Sequence, residues 1–86
     1  MIIPKSLLDW ESMTTTQRYE FLNYETCRYE YPGYNGILIY EQYDLVVRYE
    51  RDSWGRLNNI IAESYKYAKQ RAIMEALANW AIVSMN

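Results

Sequence analysis

Apolar positions along this chain follow two rhythms, and the change between them marks a helical start, a stranded middle and a helical end. Ser6 with Asp9 three positions later, just after Pro4, predicts an N-cap and a short helix over 6–12 carrying Leu7, Leu8 and Trp10. Thr14 and Gln17 repeat that capping signal and predict a second helix toward Asn23 or Tyr24. A rival strand spans Arg18 to Tyr31, because Tyr19, Phe21, Cys27, Tyr29 and Tyr31 share one parity, with Asn23 and Glu25 interrupting the face. A strand over Thr26–Tyr31 is compatible with both readings.

Pro32, Gly33, Tyr34, Asn35 and Gly36 then form a turn, since proline fixes one φ and Gly or Asn accepts the positive φ that a hairpin requires. Ile37–Tyr40 and Leu45–Tyr49 read as strands on either side of Glu41–Asp44, which completes a three-stranded antiparallel meander. Leu45, Val47 and Tyr49 alternate with Val46, Arg48 and Glu50, so one face packs and the other stays partly wet. Asp52 and Ser53 are suited to cap a helix running from Trp54 to about Val83. Its apolar stripe changes from Leu57, Ile60, Ile61, Ser64 and Ala68 to Ile73, Ala76, Leu77, Trp80 and Ala81, which predicts a kink or break near Lys69–Ala72. Ile82, Val83 and Met85 widen the second stripe, so this helix is either wrapped by the fold or used in a homodimer contact over Ile73, Leu77, Trp80 and Ile82. The expected fold class is α+β: a three-stranded antiparallel meander flanked by short N-terminal helices and a long or kinked C-terminal helical segment.

With 86 residues, half of them hydrophobic and 23% charged, the chain reads as one globular domain over 1–86 rather than a disordered tail. It holds no apolar run of about 18 residues, and Met1–Trp10 lacks the long apolar stretch of a signal peptide, so a cytoplasmic location is expected. The single cysteine, Cys27, has no disulfide partner and reads as a small buried apolar residue. Histidine is absent, which removes the commonest general base, the commonest zinc ligand and the serine or cysteine nucleophiles that depend on it. Gly33, Gly36 and Gly55 match neither the dinucleotide nor the P-loop spacing. Glu41 with Asp44 and Glu50 with Asp52 are the carboxylate pairs available for acid–base or metal chemistry, and solvated loop charges describe them more simply. No enzyme activity, cofactor or metal is expected.

The ten tyrosines change the picture, because eight of them fall between Tyr19 and Tyr49. Tyrosine supplies contact area at small entropy cost and tolerates water at its hydroxyl, as in interface hot spots. Tyr29, Tyr31, Tyr34, Tyr40 and Tyr43, with Arg48 and Arg51, are therefore the candidate partner-binding residues, Tyr34 foremost because it sits at a turn tip. The competing use is a small core filled with rings whose hydroxyls reach the rim.

The charge of −2 is uneven: residues 1–52 hold five Lys/Arg against nine Asp/Glu, and residues 53–86 hold four against two. Lys66, Lys69 and Arg71 give the C-terminal helix a basic face, the basis of an alternative reading as a single-stranded nucleic-acid binder or small transcriptional regulator. A sequence pI near 5.0 and the missing glycine–aromatic RNA-binding signature weigh against it. In size and composition the chain resembles small accessory proteins of bacteriophages, including anti-CRISPR-like inhibitors of host defence. That resemblance implies a protein that blocks a host enzyme or defence complex sterically in the host cytoplasm, and it assigns no individual residue.

Overall fold

The computed structural model describes residues 1–26 and 33–84. Helix α1 (Leu7–Ser12) starts where Ser6 Oγ accepts the Asp9 amide at 3.0 Å. Helix α2 (Thr15–Thr26) opens on a reciprocal box: Gln17 Oε1 accepts the Thr14 amide at 2.9 Å and Thr14 Oγ1 accepts the Gln17 amide at 3.1 Å. Arg18 joins the two helices, donating to the Trp10 carbonyl from Nε at 3.0 Å and Nη2 at 2.9 Å while its guanidinium lies 5.1 Å from the Trp10 ring centroid. The 15–25 stretch is therefore helix; the rival strand loses because the capping box satisfies two end amides locally.

Three strands follow as an antiparallel meander in the order β1 (Asn35–Tyr40), β2 (Leu45–Arg51) and β3 (Leu57–Glu63). A 3₁₀ turn at Glu41–Tyr43, ending on left-handed Asp44, links β1 to β2. Strand pairing and helix placement give the expected α+β class, but the membership of the meander differs. Its third strand is Leu57–Glu63, which the apolar spacing assigned to a helix from Trp54. Thr26, the first residue of the expected strand over Thr26–Tyr31, instead closes α2, with its hydroxyl donating to the Leu22 carbonyl at 2.6 Å. The remainder of that stretch, with Cys27, Tyr29 and Tyr31, lies outside the described residues.

Helix α3 (Tyr65–Ser84) runs through Lys69–Ala72 without the expected break. No glycine or proline interrupts it, and Lys, Gln, Arg and Ala all favour helix. Its beginning is fixed by Ser64 and Asp44: Ser64 Oγ donates to Asp44 Oδ2 at 2.9 Å, and Asp44 Oδ1 accepts the Lys66 amide at 2.9 Å.

Alternation along β2 divides the sheet. Leu45, Val47, Tyr49 and Arg51 face inward, where Trp10 from α1, Met13 just after its end, Phe21 and Leu22 from α2, and Leu57 complete the core. Trp10 meets Phe21 edge-on at 6.4 Å. Val46, Arg48 and Glu50 belong to the outer face, which the base of α3 covers only in part.

Candidate functional site

Residues 52–56 make the turn between β2 and β3, and Asp52 organises it. Its carbonyl accepts the Gly55 amide at 2.9 Å and the Gly33 amide at 3.0 Å. Its carboxylate accepts the Trp54 and Arg56 amides, each at 2.9 Å. Donation from the Arg56 amide is the largest reason that the Asp52 carboxyl titrates below its ordinary range. Gly55 sits at φ 77°, a left-handed position that a side chain would strain. The result is a tryptophan held outward: Trp54 is 76% exposed, with the Arg56 guanidinium 5.1 Å from its ring centroid.

Beside this turn lies a cleft of about 380 Å³ lined by Tyr19, Asn23, Arg51, Gly55, Arg56 and Leu57. Tyr34 belongs to the same end of the sheet, because its carbonyl accepts the Arg51 amide at 2.7 Å. Its ring lies 6.2 Å from that of Tyr49 and remains exposed. Exposed Tyr19, Tyr34, Trp54 and Arg56 thus share one end of the molecule, the residue types that dominate protein interfaces.

Those residues singled out from sequence that the structure describes are dispersed by the fold. Tyr34 is exposed as expected. Tyr40 and Tyr43 are partly buried against the core, at the opposite end of β1. The Tyr40 hydroxyl donates to Glu25 Oε2 at 2.6 Å, and burial first, then this bond to a carboxylate, pushes its phenol far above the usual value. Arg51 is only 3% exposed and corrects the expectation of a surface contact: its guanidinium donates to the Gly55 carbonyl at 3.1 Å and to Thr26 Oγ1 at 2.9 Å, tying α2 to the hairpin. Arg48 sits on the outer face, with Nε 2.9 Å from Glu63 Oε1.

Sequence reading missed Trp54, Arg56 and Tyr19. The signal was Asp52 with Gly55 three positions on, a turn signature around a tryptophan, which the continuing apolar spacing disguised as a helix start.

On the outer face Glu63 bridges two cations, Arg48 and Arg71; both Arg71 terminal nitrogens lie 2.8 Å from its oxygens. Of the three basic residues proposed for nucleic acid, Lys66 and Lys69 are exposed and Arg71 is held by Glu63. In α3, Ile73 is exposed, whereas the side chains of Leu77, Trp80 and Ile82 lie outside the described residues.

Three of the four paired carboxylates have structural duties. Asp44 secures the start of α3, Asp52 builds the hairpin turn, and Glu50 Oε2 accepts Asn59 Nδ2 at 2.9 Å. Among the described residues no cluster of three or more metal-ligating side chains occurs, and no helix is long and apolar enough to cross a membrane. The chain matches no protein-family model, no curated protein and no solved structure.

Proposed function

We propose that this protein is a non-enzymatic binding module that docks a protein partner against the β2–β3 hairpin end, with Trp54 as anchor and Tyr19, Tyr34 and Arg56 around it. The observation that carries this reading is the exposure of Trp54 on a turn whose backbone is held by the Asp52 carboxylate. An exposed indole contributes little to the fold, while a turn backbone already held by Asp52 leaves less freedom for binding to remove. The tyrosines and arginine beside it supply further amphipathic contact area. Steric blocking of an enzyme or assembly is the mode of action that suits such a module, in keeping with the likeness to phage-encoded inhibitors.

The test uses immobilised full-length protein, nuclease-treated host lysate and calorimetry on the recovered partner. Trp54→Ala with Tyr34→Ala is expected to weaken that partner's binding by about 2 kcal/mol or more at nearly unchanged melting temperature. Equal affinity of the double variant, or recovery that disappears with nuclease, overturns the reading. The latter result would transfer function to exposed Lys66 and Lys69 and to a nucleic-acid ligand.

A further inference from the structure

Arg56 is contacted on two sides and open on a third. Its Nε lies 3.3 Å from Asp52 Oδ2, and its guanidinium lies 5.1 Å from the Trp54 ring centroid. The side chain is nonetheless 72% exposed, and among the described residues its two terminal nitrogens donate no hydrogen bond. A guanidinium offers two paired edges, one made by Nε with a terminal nitrogen and one by the two terminal nitrogens together. Asp52 takes part of the first and leaves the second, Nη1 with Nη2, unspent.

The cleft beside the hairpin turn does not cancel this charge, because no aspartate or glutamate is among the described residues that line it. Tyr19, 41% exposed, and Asn23 are neutral, and Leu57 joins the cleft to the core. Arg51 is committed to the framework through Thr26 and Gly55, so Arg56 is the cation that a ligand meets. The turn also selects among anions. Sites for phosphate or for a chain-terminal carboxylate are commonly cradled by backbone amides. Here the Gly55 amide is spent on the Asp52 carbonyl, and the Trp54 and Arg56 amides are spent on Asp52 Oδ1. Asp52 has filled the turn with an anion of its own. What remains is a planar edge of two nitrogens, which matches the two oxygens of a side-chain carboxylate.

We propose that this cleft receives an aspartate or glutamate side chain of the protein partner, held end-on by Arg56 Nη1 and Nη2 while an apolar neighbour of that residue packs on Trp54. The inference rests on the hairpin end being a docking site and adds the chemistry of its partner: an acidic residue flanked by apolar ones.

The probe is acetyl-Leu-Glu-Leu-amide, titrated at millimolar concentration into the isotope-labelled full chain and followed by NMR. Saturable shifts are expected at the Arg56 side chain, the Trp54 indole N–H and the Gly55 amide. Affinity should exceed that of acetyl-Leu-Gln-Leu-amide by about tenfold or more and should fall with added salt. Arg56→Gln should erase the preference at an unchanged melting temperature, because the side chain is exposed and the turn amides stay on Asp52. Arg56→Lys should recover only part of it, since an ammonium has no paired edge. Absence of saturable shifts, equal affinity for the two peptides, a preference that survives Arg56→Gln, or tighter binding of inorganic phosphate at the same resonances overturns the proposal. A partner that depends on Trp54 and Tyr34 but is indifferent to Arg56→Gln removes the acidic ligand and leaves the docking site standing. A glutamate preference at Arg56, with partner binding unaltered by Trp54→Ala and Tyr34→Ala, does the reverse.

Discussion

The Tyr49 ring lies across the backbone of Gly36, in the space that a Cβ at position 36 would need. The two residues are paired across β1 and β2, and the ring of Tyr34 rests 6.2 Å from that of Tyr49. A missing side chain therefore lets a buried tyrosine fold over the neighbouring strand and support an exposed one. Gly36→Ala should force Tyr49 aside and destabilise the fold by about 1–3 kcal/mol. A thermal melt would show this as a fall of about 4–8 °C per kcal/mol. An unchanged melting temperature would mean that Tyr49 has room to yield.

Arg51 is expected to matter for stability. Its guanidinium is buried and joins the end of α2 to the hairpin through Thr26 and Gly55. Arg51→Met strands these acceptors and should cost about 2–4 kcal/mol in urea unfolding. Arg51→Lys should recover little, because an ammonium lacks the planar fork that reaches separate acceptors. Full stability in Arg51→Met would remove this residue from the framework of the site.

Acid should loosen the attachment of α3 and the hairpin turn. Glu63 is held below its ordinary range chiefly by hydrogen bonds from Arg71, Asp44 by the Lys66 amide and Asp52 by the Arg56 amide. Folded values lie below unfolded ones, so their stabilisation is complete above the unfolded carboxylate range of about 4 and is lost as pH falls through the folded values. Tyr40 acts at the other end of the scale: its folded value is raised, so its contribution is complete below about pH 10 and is lost as pH rises beyond it. Urea unfolding against pH should show both limbs. Glu63→Gln should flatten the acid limb, and Tyr40→Phe should remove one late-titrating phenol from the alkaline absorbance titration. An acid limb as steep in Glu63→Gln as in wild type would exclude the Arg48–Glu63–Arg71 bridge as its source.

Local chemistry determined the elements whose stabilising contacts lie close in sequence. Ser6 with Asp9, and Thr14 with Gln17, close their hydrogen bonds within one turn, so the starts of α1 and α2 are legible from four residues each. The alternation of Leu45, Val47 and Tyr49 likewise identified a strand and its buried face, because the period of two is a property of the backbone itself. Tertiary structure decided Leu57–Glu63. Ile60 and Ile61 fit a helical stripe, yet Ile61 pairs with Arg48 and Ala62 with Val47, and a left-handed Asn59 takes up the bulge in that ladder. Those partners lie more than ten residues away, so no local window contains the interaction that chooses strand over helix. The same distance hid the site: Arg51 is drawn inward by Thr26 from α2, while Trp54 is put outside by a turn that exists only once β2 and β3 pair. Residue type and spacing thus determined which segments had to be buried, and long-range pairing decided which aromatic and cationic side chains were left to face a partner.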